Sequence, residues 1–141
     1  MNRSRSFSRI GASLTCVVAL TSGLLVAGSP AGTASTPTYG PSSSGDTVKV
    51  RQDARIRIFL PSNASTGYRW VIRSGADSAV FDIKARREVG PKNPMPGAGG
   101  RTVFVIEGDD VGRDTFVAVY RGPGRNPDIA KRYRLTIRVT D

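Results

Sequence analysis

The 141-residue sequence contains no histidine and a single cysteine, Cys16. Without imidazole, Ser-His and Cys-His nucleophile pairs and histidine metal ligands are excluded, because no other unperturbed side chain changes its charge near neutral pH. One cysteine cannot form an internal disulfide or supply most of a structural zinc site. Acidic residues are also scarce, 11 against 21 Lys and Arg, which gives a formal charge of +10. These absences disfavour most enzyme classes, and we expect a protein that is not an enzyme and binds neither metal nor cofactor.

The first 34 residues have the pattern of a secretory signal peptide. An apolar stretch, Ile10–Ala27, is followed by the small residues of Gly28–Ser35, and it is preceded by three basic residues, Arg3, Arg5 and Arg9. We predict cleavage after Ala34 or near Ala27, so that the protein is secreted. The alternative is a retained membrane anchor, but polar residues interrupt the stretch and no stop-transfer flank follows it. No membrane span is expected in the mature chain.

The mature chain is predicted to be a short leader followed by one domain. Ser35–Gly45 consists of Ser, Thr, Pro and Gly with one Tyr, a composition that predicts a disordered linker. Residues 46–141 are enough for one hydrophobic core without disulfides, and they contain no internal repeat. The domain stays strongly basic, because only three of the 21 Lys and Arg residues precede residue 35. We expect it to be a monomer.

The domain shows the period-two alternation of β-strands and no sustained helical period. Apolar and polar residues alternate in three segments: Ile56 to Leu60, Tyr68 to Ile72 and Tyr133 to Val139. Two nearly continuous apolar runs predict strands that are covered on both faces: Thr102 to Ile106 and Thr115 to Tyr120. Two weaker candidates are Thr47 to Val50 and Val80 to Ala85. About seven strands separated by turns predict an all-β fold, an immunoglobulin-like β-sandwich with Trp70 as the central aromatic residue of its core.

Three of the predicted connections are longer than the others: Pro61–Gly67, Gly90–Gly100 and Arg121–Ala130. In an immunoglobulin-like strand order the first and last of them lie at the same end of the sandwich. The middle connection reaches that end if the fourth and fifth strands run as the order implies. A fourth turn, Asp109–Gly112, lacks the alternating oxygen ligands and closing Glu of a calcium loop. We therefore predict a binding surface made of three loops at one tip.

These loops resemble those of a known family. The segment Asn63-Ala64-Ser65-Thr66-Gly67-Tyr68-Arg69-Trp70 resembles the Asn-Pro-Thr-Thr-Gly-aromatic-x-Trp signature of the chagasin-like inhibitors of papain-type cysteine proteases. Gly97-Ala98-Gly99-Gly100 followed by Val103-Phe104 is similar to that family's glycine-rich second loop and its strand. Val119-Tyr120-Arg121 stands where the family's Arg-Pro-Trp loop begins. The resemblance extends from about Asp46 to Thr140 and implies the same immunoglobulin-like fold.

The resemblance implies a secreted, reversible inhibitor that blocks the cleft of a papain-like cysteine protease with three loops. The first loop would enter the cleft beside the catalytic thiol, with Ser65 and Thr66 in the family's two threonine positions. The hydroxyl groups of these two residues can fix the loop backbone, and Gly67 can adopt a positive φ. The residues implied to contact the protease are Asn63, Ala64, Ser65, Thr66, Gly67, Tyr68, Gly97, Ala98, Gly99, Gly100, Arg121, Gly122 and Pro123.

The sequence departs from the family pattern at two positions. Ala64 replaces the proline of the first loop, which should raise the conformational entropy lost on binding. The third loop reads Arg121-Gly122-Pro123-Gly124 and lacks the family's Trp. An aromatic anchor of that kind can contribute several kcal/mol at an interface.

A different class of function remains open at this point. Asn63–Gly67 can also be only a strand-connecting turn, since Asn, Ser and Gly are ordinary turn residues. The chain would then be a secreted adhesion or anionic-polymer-binding module without inhibitory activity. Its candidate contacts are arginines on strand faces opposite the apolar stripes, which otherwise form a solvated surface: Arg55, Arg57, Arg132, Arg134 and Arg138. Specific recognition of nucleic acid is not expected, because the sequence shows no base-stacking aromatics and no groove-entering helix.

Overall fold

The computed structural model describes residues 35–141, and the predicted signal peptide lies outside these described residues. Eight strands form the described part of the chain: β1 (Thr38–Tyr39), β2 (Thr47–Arg51), β3 (Arg55–Ser62), β4 (Arg69–Ser74), β5 (Phe81–Val89), β6 (Gly100–Gly108), β7 (Gly112–Arg121) and β8 (Ile129–Thr140). Two short 3₁₀ turns, Pro41–Ser43 and Ala64–Thr66, lie between strands. The all-β prediction is confirmed, and the seven predicted strands are joined by an additional short one, β1.

The strands form two four-stranded sheets. One sheet has the order β1-β3-β6-β5 and the other the order β2-β8-β7-β4. The pairs β1–β3 and β2–β8 are parallel, whereas the other neighbours are antiparallel. In β2, β3, β6 and β8 the buried residues alternate with more exposed ones, as the period of two requires. The apolar side chains therefore meet between the two sheets, and the predicted β-sandwich is confirmed.

The core contains two groups of aromatic rings. Phe104, Phe116 and Tyr133 are at most 1% exposed, and Phe116 lies 5.3 Å from Phe104 and 6.4 Å from Tyr133 between ring centroids. Both pairs pack edge to face, the arrangement that aromatic quadrupoles favour. Trp70 is buried as predicted, but it packs against Tyr120, next to the loop that precedes β4. Trp70 thus supports one end of the sandwich.

The prediction that two strands are covered on both faces is wrong for β6. Val103 and Val105 are only half-buried, because they project from the outer face of their sheet. On β7 the outward-facing Val119 is 2% exposed, whereas Val117 is half-buried. Each sheet therefore has one core face and one partly solvated face, as antiparallel sheets commonly have.

Within the segment predicted as a disordered linker, Ser35–Gly45, residues 37–45 make backbone hydrogen bonds to both sheets. Thr38 and Tyr39 pair in parallel with β3, and the Arg57 amide donates to the Pro37 carbonyl at 2.8 Å. The amide of Gly45 donates to the Arg134 carbonyl at 2.7 Å, which connects the segment to the second sheet. The polar composition did not reveal these contacts, because backbone groups make them. The segment covers an edge of β3 that would otherwise present unpaired amides and carbonyls.

Candidate functional site

Three loops meet at one end of the sandwich, which we call the tip. Loop 1 (residues 63–68) connects β3 to β4, loop 2 (90–99) connects β5 to β6, and loop 3 (122–128) connects β7 to β8. The Asn63 side-chain amide of loop 1 donates to the Gly97 carbonyl of loop 2 at 3.3 Å. A Cβ atom at Gly67 would lie 3.4 Å from the Pro123 ring of loop 3. The predicted grouping of the three loops is confirmed.

Loop 1 is held by hydrogen bonds within itself. The carboxamide oxygen of Asn63 accepts from the Ser65 amide at 3.1 Å and from the Ser65 hydroxyl at 2.6 Å. The Thr66 hydroxyl donates to the Asn63 carbonyl at 2.7 Å. Gly67, with φ of 74°, ends the 3₁₀ turn in a left-handed conformation that strains other residues. The Asn63 side chain thus fixes a loop in which Ala64 takes the place of proline.

Two aromatic side chains fix the points where loop 1 leaves the sheets. The Tyr120 hydroxyl accepts from the backbone amide of Asn63 at 2.8 Å, and the Trp70 indole donates to the Pro61 carbonyl at 2.9 Å. The two rings are 5.2 Å apart, and Trp70 and Tyr120 lie opposite each other on β4 and β7. Sequence reasoning missed the role of Tyr120. The available signal was a tyrosine in a core-facing position near the end of the strand that leads into loop 3.

Tyr68 joins loop 1 to loop 3. Its ring lies 5.4 Å from the Tyr120 ring, and on loop 3 it approaches Gly122 so closely that a Cβ atom there would be 3.1 Å from the Tyr68 ring. Gly122 is itself buried. A side chain at position 122 would therefore have to displace the Tyr68 ring. Loop 3 thus contributes a close-packed support for Tyr68.

Loop 2 projects an apolar side chain at its turn. The Ala98 amide donates to the Met95 carbonyl at 2.9 Å, which closes a four-residue turn through Pro96 and Gly97. The Met95 side chain is 69% exposed, the largest exposure among the large hydrophobic residues that the structure describes. Sequence reasoning did not single out Met95. An exposed methionine on a structured loop is an adaptable contact for a protein partner.

A polar network connects the bases of loops 1 and 2. The Glu88 carboxylate, at the end of β5, accepts from the Thr102 hydroxyl at 2.8 Å and from the Ser62 hydroxyl at 3.2 Å. Thr102 is fully buried, so this bond satisfies a hydroxyl that would otherwise lack a partner. The network holds the last residue of β3 against the neighbouring strands. Sequence reasoning did not detect it, because the three residues are distant in the chain.

All the predicted contact residues lie at the tip or at its base, but they differ in exposure. The exposed residues are Ala64, Ser65, Thr66, Gly67, Gly97, Gly99 and Pro123. The half-buried or buried residues, which support the loops, are Asn63, Tyr68, Ala98, Gly100, Arg121 and Gly122. The Thr66 hydroxyl donates to a carbonyl and has no base beside it, so it is not activated as a nucleophile. Within residues 35–141, no group of three or more Cys, Asp or Glu is arranged to hold a metal ion.

A comparison of the sequence with models of protein families identifies the family to which these loops belong. A sequence model described as chagasin family peptidase inhibitor I42 matches residues 49–139. The chain belongs to this family. The matched range contains all three loops, so the predicted resemblance is confirmed. Because chagasin-family proteins are peptidase inhibitors, the prediction that the chain is not an enzyme is also confirmed.

Solved structures share the chagasin-family fold. The cysteine protease inhibitor EhICP2 from Entamoeba histolytica has a TM-score of 0.65 at 18% identity, over 74% of this chain and 96% of that chain. The solution structure of amebosin has a TM-score of 0.60 at 23% identity, over 74% of this chain and 98% of that chain. PbICP-C, in complex with falcipain-2, has a TM-score of 0.56 at 19% identity, over 74% of this chain and 91% of that chain. A comparison with curated protein sequences gives no match. Within the described residues, no helix is long and apolar enough to cross a membrane.

Proposed function

We propose that this chagasin-family protein reversibly inhibits papain-like cysteine proteases by placing its tip in the active-site cleft. The observation that carries the proposal is the exposed turn Ala64–Gly67, which is fixed from within by Asn63 and from below by Tyr120. A loop that is already ordered loses little conformational entropy on docking. The inhibitor EhICP2 has the same fold, and PbICP-C has been seen in complex with falcipain-2.

The conformation of loop 1 explains why the inhibitor would escape cleavage. Catalysis requires the scissile carbonyl to be aligned with the nucleophile at close distance. Ala64–Thr66 instead form a 3₁₀ turn, and Gly67 follows in a left-handed conformation. Both features prevent an extended substrate-like geometry, and the internal hydrogen bonds of Asn63 oppose its formation. The loop therefore fills the cleft without presenting an aligned peptide bond.

The other two loops would contact the walls of the cleft. Loop 2 offers Met95, whose exposed thioether side chain provides apolar contact area beside the glycine-rich segment. Loop 3 lacks an aromatic anchor and presents Pro123 and Arg125 at its exposed surface. We infer that Met95 supplies apolar contact that a Trp in loop 3 supplies elsewhere in the family. The role of loop 3 is then mainly to hold Tyr68 in place.

The proposed activity is tested by titrating the protein into papain and a cathepsin-L-type protease and measuring residual peptidase activity. We expect stoichiometric loss of activity with the inhibitor recovered intact. In the Ala64→Arg variant, a bulky side chain projects from the tip, and the inhibition constant should rise at least about tenfold. The matched control is Val111→Arg, which adds the same side chain to an exposed position in the β6–β7 turn at the other end of the sandwich. Absence of inhibition by the folded wild-type protein, or equal effects of both variants, would contradict the proposal.

We also propose that residues 1–34 direct export of the chain and are removed. The support is the basic start, the apolar Ile10–Ala27 stretch and the small residues before Ser35. The mass of the protein recovered outside the producing cells tests this proposal. A mass that corresponds to a start at Ser35 or near Gly28 is expected, whereas a full-length cell-bound product would contradict it.

A further inference from the structure

The outer face of the β2-β8-β7-β4 sheet is strongly basic. Six exposed cationic side chains project from three adjacent strands of this sheet, and we call them the basic face: Lys49, Arg51, Arg113, Arg132, Arg134 and Arg138. They alternate with core residues such as Val48 and Tyr133, which places them all on the solvent side. The only acid within these three strands, Asp114, is on the core side, where its carboxylate accepts from the Thr115 amide.

Strand register brings these cations close together. Lys49 on β2 lies opposite Arg138 on β8, and Arg138 lies opposite Arg113 on β7. Neighbouring strands are about 4.8 Å apart, so three positive charges stand in one row across the sheet. Like charges directly opposite each other destabilise a sheet. A counter-charge from outside the strands would therefore stabilise a compact row of this kind.

The protein itself does not supply that counter-charge within the described residues. The ion pairs there join Arg55 and Lys84 to Glu107, Lys84 to Asp82, and Arg86 to Glu88, and they all lie on the other sheet. No side chain of the basic face makes an ion pair or donates a hydrogen bond to the protein in residues 35–141. The arginines that the sequence grouped together therefore differ. On the other sheet Arg55 is paired with Glu107, and Arg57 is exposed and makes no ion pair within the described residues. Arg132, Arg134 and Arg138 stand together on the basic face and are available to an external anion.

The surroundings of the basic face restrict what it can bind. Guanidinium groups match the geometry of phosphate and sulfate with two parallel hydrogen bonds. No aromatic side chain projects from this face of β2, β7 or β8, so bases would find no stacking partner. The outward apolar residues of this sheet, Val71, Val117 and Val119, are partly or fully covered, which leaves little apolar surface to insert into lipid. A sheet twists by about 20–25° per strand, so a flexible chain follows its charges better than a flat bilayer does.

We propose that the basic face binds a linear polyanion with closely spaced phosphate or sulfate groups, independently of the tip. The tip is formed by loops at the ends of the strands, whereas the basic side chains project from the sheet surface between those ends. The protein therefore carries two separate binding surfaces. The polyanion holds the inhibitor in place while the tip remains free to meet a protease.

The test measures binding of the protein to inorganic polyphosphate and to heparin over a range of salt concentrations. The test variant is Arg113→Gln/Arg134→Gln/Arg138→Gln. The matched control is Arg57→Gln/Arg87→Gln/Arg101→Gln. It removes the same charge from three arginines of the other sheet that are exposed and make no ion pair within the described residues. The test variant should bind polyphosphate at least about tenfold more weakly. The negative slope of the log association constant against log salt concentration should become shallower by about 2–3. The control should change that slope by less than about 1.

Several outcomes would overturn the proposal. Equal losses in both triple variants would show that net charge alone governs binding. Binding to vesicles of anionic phospholipid without binding to polyphosphate or heparin would make the partner a membrane. Weak binding of both polymers by the wild-type protein, no stronger than binding of monomeric phosphate, would also refute it. Circular dichroism and thermal melting confirm folding of each variant, and inhibition of papain by the test variant shows whether the tip is intact independently of polymer binding.

Discussion

The effect of removing the Tyr120 hydroxyl on stability and inhibition can be predicted quantitatively, because a second tyrosine in the same sheet serves as its control. In the Tyr120→Phe variant the ring keeps its packing against Tyr68 and Trp70. The backbone amide of Asn63, however, loses its hydrogen-bond acceptor at the base of loop 1. A hydrogen bond between neutral groups contributes about 1 kcal/mol to stability. Loss of that bond should lower the melting temperature by about 4–8 °C for a domain of this size.

The same substitution should weaken inhibition. Loop 1 is attached to the sheets through the Asn63 amide, so its conformation becomes less populated when the bond to Tyr120 is lost. If the whole of about 1 kcal/mol is transferred to binding, the inhibition constant rises about fivefold. Titration against papain measures the inhibition constant, and chemical denaturation measures the free energy of unfolding.

Tyr133→Phe is the matched control. Tyr133 is 1% exposed, and within the described residues its hydroxyl has no hydrogen-bond partner. Removing an unsatisfied buried hydroxyl should leave the free energy of unfolding unchanged or raise it by about 1 kcal/mol, with inhibition unaffected. If Tyr120→Phe changes neither stability nor inhibition, or if both variants behave alike, the argument that Tyr120 positions loop 1 is refuted.

Three further predictions concern backbone strain and pH. Gly67→Ala should lower the free energy of unfolding by about 1–2 kcal/mol and weaken inhibition. Gly45 also has a positive φ but lies away from the tip, so Gly45→Ala should lower stability without affecting inhibition. Thermal melting measures the stability of both variants, and titration into papain measures their inhibition. Burial is the main cause that raises the pKa of Tyr133 to about 12, and the nearby Asp46 and Tyr39 contribute to a smaller extent. Stability should therefore fall as pH rises from about 10 towards 12, and in Tyr133→Phe this fall should diminish. Arg55 and then Lys84 hold the pKa of Glu107 below its ordinary value of 4.5, so stability should fall as pH drops below that value, and less so in Glu107→Gln.

The period of the sequence predicted the strands because alternation depends on neighbouring residues alone. Ile56 and Ile58 had to share a face, and so did Leu135 and Ile137, whatever lay opposite them. The internal hydrogen bonds of loop 1 were predictable for a similar reason, since the Ser65 and Thr66 hydroxyls and Gly67 act within three residues of their own positions.

Features that depend on pairing between distant strands were not predictable. The backbone pairing of Thr38 and Tyr39 with β3 leaves no trace in side-chain composition. The Tyr120 hydroxyl acts on Asn63, 57 residues away in the chain. The alternation also could not show that Arg55 and Arg138 belong to different sheets, or that Arg55 lies opposite Glu107 whereas Arg138 lies opposite Arg113.

The parallel pairing of β2 with β8 has a consequence for how the protein folds. Val48 lies opposite Ile137 and Val50 opposite Val139, so the first long strand is paired with the last. During synthesis, β2 has no partner until almost the whole chain has been made. Contacts between residues so far apart in sequence make folding slow, on a timescale of about milliseconds to seconds. The fold therefore closes late, and a chain that is truncated before β8 leaves both β2 and β7 with exposed edges through which molecules can associate.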